Sequence, residues 1–346
     1  MAEVGSHPFP SVPPLDVQAM ELARQRWATR AMPPGALGRL QDLGVHLAGV
    51  TGRCPPPAPR RPVVVVFAGD HGVVADGASA WPSEITAAMV ATVSSGGAAI
   101  SVFADAVGAQ VVVVDVGVKT PLPPLAGVRS ERVADGTASI ATGAAMTPDQ
   151  AEAAVAVGIR IASEQIEAGA DCLIGGDLGI GNTTAAAALI GAFTGRLAEE
   201  VTGHGAGVPA AGLDHKRRLV TAAIQRTQGC TGPLEVLAVA GGFEIAALAG
   251  LYVAAAQNRV PYIVDGVIAG AALCAADALA PGTAAHAIAG HRSSEPAASI
   301  VLDHLGLNPL LDLNLRLGEG TGACLAFPLV QASARALADM ADLPNR

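Results

Sequence analysis

The stretch Val63-Val64-Val65-Val66-Phe67-Ala68-Gly69-Asp70-His71-Gly72 decides the fold. Its first six residues are all apolar and mostly β-branched, and they do not alternate with polar ones. That is the pattern of a strand covered on both faces. The run then stops on a glycine, an acid and a histidine, which places polar groups just beyond a strand's C-terminal end. Similar short runs fall at 110–116, 172–175, 236–240, 262–264 and 285–289, with Ala-rich helical stretches between them. The helix expected over 147–168 opens Thr147-Pro148-Asp149-Gln150: a cap residue, a proline at the first helical position and a Gln able to close a capping box. Strand–helix alternation of this kind implies right-handed crossovers and a doubly wound, mostly parallel, Rossmann-like α/β sheet.

Outside that alternation the chain changes character. Residues 17–28 and 37–48 read as two helices around the turn Met32-Pro33-Pro34-Gly35, followed by a Pro-rich linker over 54–62. A last helix is expected over 325–340. The expected division is a large α/β domain over 61–318, a small helical domain from 15–60 plus 319–346, and a flexible tail over 1–14.

Composition narrows the function classes. Apolar residues make up 51% of the 346 and aromatic ones only 3%, so the core must be built from Ala, Val, Leu and Ile. The 41 glycines cluster between apolar runs without a collagen period, which points to turns and close backbone approaches. A net charge of −9 with no basic stripe argues against nucleic acid as a partner. Mean hydropathy is +0.44, yet the best membrane candidate, 236–256, holds Gly241-Gly242 and Glu244 and reads instead as a buried strand followed by a packed helix. Cys54, Cys172, Cys230, Cys274 and Cys324 are odd in number and scattered, as expected of reduced residues in a cytoplasmic protein.

Four glycine-rich segments carry the chemistry. They are Phe67-Ala68-Gly69-Asp70-His71-Gly72, Gly175-Gly176-Asp177-Leu178-Gly179-Ile180-Gly181-Asn182-Thr183-Thr184, Gly203-His204-Gly205-Ala206-Gly207 and Leu317-Gly318-Glu319-Gly320-Thr321-Gly322. In open parallel sheets ligands collect beyond the strands' C-terminal ends, where such loops lie. The second has the make-up of a phosphate cradle: glycines expose N–H groups, Thr183 and Thr184 add hydroxyls, and a helix follows. It lacks the lysine of a Walker A loop and the spacing of a dinucleotide fingerprint, and taken alone it also suits a tight strand–helix turn without ligand. Glu319, between two glycines at a helix start, has little packing use; the plainer alternative is a solvated acid favoured by the helix dipole. Asp70-His71 has no second ligand pair at helical spacing, so no metal is expected.

These segments, together with Pro33-Pro34-Gly35-Ala36-Leu37-Gly38-Arg39-Leu40, Pro233-Leu234-Glu235, Gly241-Gly242-Phe243-Glu244 and Gly290-His291-Arg292-Ser293, resemble the nicotinate-nucleotide–dimethylbenzimidazole phosphoribosyltransferase family across nearly the whole chain. The resemblance implies a homodimer that converts nicotinate mononucleotide and 5,6-dimethylbenzimidazole into α-ribazole 5′-phosphate and nicotinate, for assembly of the cobalamin nucleotide loop, without a cofactor. It implies Glu319 as general base. For the nucleotide it implies Asp177, Gly179, Gly181, Asn182, Thr183, Thr184, Gly203, Gly205, Lys216, Gly318, Gly320 and Thr321. For the base pocket it implies Asp70, Trp81, Met89, Leu178 and Leu317, although Trp81 and Met89 also suit plain core packing. Other acceptors (another benzimidazole, a purine or a phenol) and a homologue that binds without turnover stay open.

Three segments depart from the family pattern. Asp177 stands where the family usually has Glu, which moves the carboxyl oxygen by about 1.5 Å, one bond length. The third loop usually reads Gly-Arg-Gly-Thr-Gly, so His204 and Ala206 remove a guanidinium and a hydroxyl. Ala31-Met32 replaces a frequent Thr-Lys.

Overall fold

A computed structural model describes Phe9 and residues 11–343. Its six strands are β1 (Pro62–Gly69), β2 (Gln110–Gly117), β3 (Val128–Ser130), β4 (Cys172–Leu178), β5 (Tyr262–Val264) and β6 (Ala287–Ala289). They form one sheet in the order β3-β2-β1-β4-β5-β6, and every pairing is parallel. This is the doubly wound arrangement, with the order of strands reversing between β1 and β4. Every residue of β1 and β4 is buried, as their unbroken apolar runs require.

Thirteen helices are described. In chain order they are α1 (Val17–Thr29), α2 (Arg39–Thr51), α3 (Glu84–Ser94), α4 (Ala99–Val107), α5 (Pro148–Glu167), α6 (Asn182–Thr194), α7 (Ala198–Val201), α8 (Ala210–Thr227), α9 (Pro233–Ala240), α10 (Phe243–Gln257), α11 (Val267–Leu279), α12 (Pro296–His304) and α13 (Thr321–Asp339). The small-residue composition is used for close helix packing. A Cβ on Gly158 of α5 would lie 1.7 Å from the Ala247 carbonyl of α10, and one on Gly250 would lie 2.1 Å from the Val155 carbonyl. Only glycine permits that approach, and it lets α5 and α10 cover one face of the sheet without large side chains. The capping box at Thr147 forms as expected, with Gln150 and Thr147 exchanging side-chain-to-backbone bonds of 2.9 and 3.2 Å.

On the opposite face, α13 runs from the sheet into the N-terminal helices. Its Cys324, Phe327 and Val330 pack with Val64, Val66 and Ile174 of the sheet and with Leu43 and Leu47 of α2. Leu337, near its end, joins Ala23 and Trp27 of α1 and Val45 and Ala48 of α2 in a three-helix cluster. One helix thus ties the chain ends to the sheet.

Several boundaries differ from those expected. Residues 236–240 are not a strand; they lie in α9, because Pro233 starts a helix whose Glu235 accepts the Thr231 N–H at 2.7 Å. A short apolar run has no period of its own, so the turn before it decides. The strand expected over 285–289 shortens to β6 after a 3-10 turn over Ala284–His286. The last helix starts at Thr321, so it begins two residues beyond Glu319. The short edge strand β3 carries no apolar run from which a strand could be expected. The expected tail over 1–14 lies largely outside the described residues; of those described, Phe9 is buried and the Pro13 and Pro14 carbonyls accept from His286 and Arg259. Glu84–Val107 is long and apolar enough to cross a membrane by composition, but it is divided at residues 95–98 into α3 and α4.

Candidate active site

The strand order reverses between β1 and β4, and the ends of those two strands build the site. β1 runs into Asp70 and His71, while β4 ends on Asp177 and Leu178 and turns through Gly179-Ile180-Gly181 into α6. The turn is packed against β1: a Cβ on Gly179 would lie 2.1 Å from the Gly69 carbonyl. Asp70 ties three elements together. Its carboxylate accepts from the Thr86 hydroxyl at 2.6 Å and the Lys119 N–H at 2.8 Å, and Thr86 in turn accepts the Ile180 N–H at 3.1 Å. Beneath the loops, His71 Nε2 donates to Glu244 of α10 at 2.7 Å, and both side chains are buried. Burial alone would lower the His71 pKa, but the Glu244 carboxylate beside it outweighs this and raises it.

The anion donors converge on one side. Lys216 of α8 is fully buried and its Nζ donates to the Thr183 hydroxyl at 2.9 Å and the Gly203 carbonyl at 3.1 Å. Desolvation lowers its pKa to about 8, against which the nearby Glu295 carboxylate acts. A Cβ on Gly205 would lie 2.5 Å from the Thr183 hydroxyl and 3.0 Å from Lys216 Nζ, so the third loop lies directly on the second. Asp177, Asn182, Thr183, Gly205, Ser293 and Arg316 are among the residues that line a cavity of about 70 Å³. That is roughly twice the ~30 Å³ share of a liquid water, and so room for a phosphate-sized anion. Thr184 lies deeper, with its hydroxyl buried and unpartnered.

Larger cavities exist elsewhere. One of about 310 Å³ lies between α2 and β6, and one of about 490 Å³ beside the Pro121-Leu122-Pro123-Pro124 loop. Their arginines are already engaged, Arg39 with the carbonyls of Asn308 and Pro309, and Arg132 with Asp115 and Asp135. Convergent donors at strand ends, and not volume, mark the functional site.

On the other side stands Glu319. It is buried, and its φ of 62° lies in the left-handed region between Gly318 and Gly320, at 87° and 85°. Burial raises its pKa above the usual carboxylate range; a hydrogen bond from the Ile100 backbone draws it back, and the Asp265 charge adds to the rise. Its Oε2 is buried without a partner. Asp177 faces the same space. Burial, then the charges of Asp265, Glu244 and Glu319, push its pKa well up, although Asn182 Nδ2 donates to its Oδ1 at 3.0 Å. The backbones are joined too, since the Glu319 N–H donates to the Asp177 carbonyl at 3.2 Å. A carboxylate with one free, dehydrated oxygen and a raised pKa is a stronger proton acceptor than an ordinary carboxylate.

Sequence comparison decides the family. The model of a phosphoribosyltransferase family matches residues 12–345. A nicotinate-nucleotide–dimethylbenzimidazole phosphoribosyltransferase of Chloroflexus aurantiacus is 48% identical over 329 residues, 95% of this chain and 93% of that protein. One from Salinispora tropica is 47% identical over 346 residues, 96% of this chain and 95% of its own. The chain belongs to the nicotinate-nucleotide–dimethylbenzimidazole phosphoribosyltransferase family. The crystal structure of such a transferase from Thermus thermophilus superposes with a TM-score of 0.91 at 46% identity, covering 95% of this chain and 97% of that one.

Within this phosphoribosyltransferase the expected site residues fall into distinct settings. Asp177, Gly179, Gly181, Asn182, Thr183, Gly205, Lys216, Gly318 and Glu319 gather around the strand-end cavity. Leu317 stands exposed at its lining, Leu178 is buried, and Met89 packs partly buried on the same apolar cluster as Leu178. Trp81 is half exposed, and its indole N–H donates to the Ala206 carbonyl at 3.0 Å, bridging the segment before α3 to the third loop. His204 is exposed and its Nδ1 lies 2.8 Å from the Val208 carbonyl within its own turn. Arg316 Nη1 donates to the Gly205 carbonyl at 3.0 Å and lines the cavity, so a guanidinium is present although the third loop lacks one. Sequence reasoning assigns no role to Ser293, Glu295, His291, Asp265 or Arg316. One of the quoted segments, Gly290-His291-Arg292-Ser293, contains the signal for two of them, and Arg316 directly precedes the quoted Leu317 segment.

Proposed function

We infer that the strand-end site takes nicotinate mononucleotide with its phosphate in the cavity, against Lys216, Thr183 and the Gly203 and Gly205 loop, and that the enzyme transfers the phosphoribosyl group to 5,6-dimethylbenzimidazole. The products are α-ribazole 5′-phosphate and nicotinate, for the nucleotide loop of cobalamin. The observation that carries this reading is Glu319, a buried carboxylate with one unpartnered oxygen whose backbone N–H donates to the carbonyl of the cavity-lining Asp177. We assign Asp177 and Asn182 to the ribose, and the Gly179 to Thr184 turn and the Gly318, Gly320 and Thr321 backbone to the rest of the nucleotide. We assign Leu178, Met89, Leu317 and Trp81 as apolar walls to a flat base, and Asp70, which accepts from Thr86 and the Lys119 N–H, to the same pocket.

The chemistry needs one proton acceptor. The pyridinium leaves C1′ as neutral ring nitrogen, so the leaving group takes no proton. The incoming ring nitrogen attacks from the opposite face, which gives the α linkage, and its other N–H becomes acidic as the bond forms. Glu319 accepts that proton. Holding donor and acceptor in line contributes several kcal/mol, of the order known for oriented reactants (about 7–11 at best).

The test is a panel of bases (5,6-dimethylbenzimidazole, benzimidazole, adenine and a phenol) incubated with nicotinate mononucleotide and resolved by chromatography, using wild type and Glu319→Gln. α-Ribazole phosphate from wild type alone supports the reading. Product from a different base relocates the specificity, and no product from any base rejects turnover. We place the reaction in the cytoplasm, to which the five unpaired cysteines are suited. We also propose a homodimer, on the resemblance to the family, and light scattering at one chain mass would reject it.

A further inference from the structure

Assigning Glu319 as the base leaves open what holds it. Gly318, Glu319 and Gly320 are three consecutive left-handed residues, a turn that does not persist unless its surroundings fix it. Gly320 is the cap residue of α13 and has no side chain with which to satisfy the first helical N–H groups. That task falls to Asp265, immediately after β5. Its Oδ2 accepts the Gly320 N–H at 3.2 Å and its Oδ1 accepts the Ala323 N–H at 2.9 Å. His291, two residues beyond β6, places Nε2 3.2 Å from the same Oδ1, and both side chains are almost wholly buried. The His291 ring lies on Gly322, where a Cβ would come within 2.0 Å of its Cδ2. Asp265 does not itself line the nucleotide cavity.

A cap alone does not explain an acid here. Ser or Asn caps a helix as well as Asp does, whereas a further carboxylate beside Asp177, Glu244 and Glu319 is costly to bury. What an aspartate adds is two charge-assisted bonds to separate N–H groups plus a third from a histidine, a rigid three-point hold.

We propose that Asp265, oriented by His291, is the positioning residue for the general base: an aspartate–histidine clamp that fixes the Gly318-Glu319-Gly320 turn and sets where the Glu319 carboxylate meets the acceptor. The inference rests on Glu319 being the base. It also makes the ends of β5 and β6 part of the machinery: Gly266, His291 and Ser293, which follow them, line the same cavity as Thr183 and Gly205, although Asp265 does not.

The experiment compares Asp265→Asn, Glu319→Gln and the double variant, with steady-state kinetics against nicotinate mononucleotide. Asn keeps one acceptor and turns an NH₂ group toward the second backbone N–H, so one point of the hold opens. The expected result is a fall of about 30- to 100-fold in kcat, of the size known for small misplacements, with KM for the nucleotide within about threefold. The double variant turns over no more slowly than Glu319→Gln alone, because Asp265 acts through Glu319. His291→Phe keeps the ring on Gly322 and removes only the donor; its kcat falls about three- to tenfold, with the same lack of additivity. If Asp265→Asn fails to fold, the His291→Phe pair decides in its place. A kcat within threefold of wild type in Asp265→Asn, or losses that multiply in the double variant, overturns the clamp. A fully active Glu319→Gln overturns the base assignment and the clamp together, whereas an inactive Glu319→Gln beside an unimpaired Asp265→Asn overturns the clamp alone.

Discussion

Replacing Glu319 by Gln separates catalysis from folding in one position. Gln occupies the same volume, meets the same left-handed backbone at φ 62° and can still accept the Ile100 N–H, so the turn keeps its shape. It loses the one property the mechanism uses, the ability to take up a proton. A positioned general base is worth about 10²- to 10⁴-fold, or about 2.7–5.5 kcal/mol in barrier height, and kcat should fall by that factor. The phosphate donors lie on other loops, so nucleotide affinity by calorimetry should stay within about threefold, a change below about 0.7 kcal/mol. Stability should move the other way. The folded-state pKa of Glu319 is raised by burial and by Asp265, so its ionised form opposes folding at all pH values above that pKa. Gln removes this cost. Its melting temperature should exceed that of wild type at pH 7 to 8, and the gain should shrink as pH falls through the folded pKa toward the ordinary carboxylate value. Chromatographic turnover and thermal melts at pH 4 and pH 7.5 read both effects. Turnover within a few-fold of wild type, or a melting gain that persists undiminished at pH 4, would refute the reasoning.

Other consequences follow from the same geometry. Lys216 holds its charge only below about pH 8 in the free protein, so KM for nicotinate mononucleotide should climb as pH rises through that value; Lys216→Met should raise KM by tenfold or more and flatten the dependence. A Cβ on Gly176 would lie 2.5 Å from the Glu319 carbonyl oxygen, so Gly176→Ala must push the Gly318-Glu319-Gly320 turn outward; with Glu319 as the base, kcat should drop by about 10- to 100-fold, and unaltered kinetics would contradict that assignment or the packing. Phe327 of α13 is fully buried between the sheet and α2, and Phe327→Ala should cost about 3–5 kcal/mol in urea unfolding, with no pH dependence of its own.

By itself the sequence determined the sheet, because Val63 to Phe67 and Cys172 to Gly175 are apolar on both faces and can be covered only by helices on either side. It also singled out the loops expected to carry the site. Gly179, Gly181, Gly318 and Gly320 flank polar residues at strand or helix ends, and that pattern is local. Short runs were less legible: residues 236–240 are as apolar as a strand, and only the Pro233 start and the Glu235 contact make them helical. What only the tertiary structure decided is convergence. Asp265, His291 and Ala323 are brought together by the parallel order β4-β5-β6 and the return of α13 across the sheet. Arg316 reaches Gly205 from a loop more than a hundred residues later and brings a guanidinium to a donor site whose own loop lacks one. Such contacts join residues with no spacing to read, and their chemistry exists only once burial removes water and raises the pKa of both Glu319 and Asp177, with the Asp265 charge adding to each.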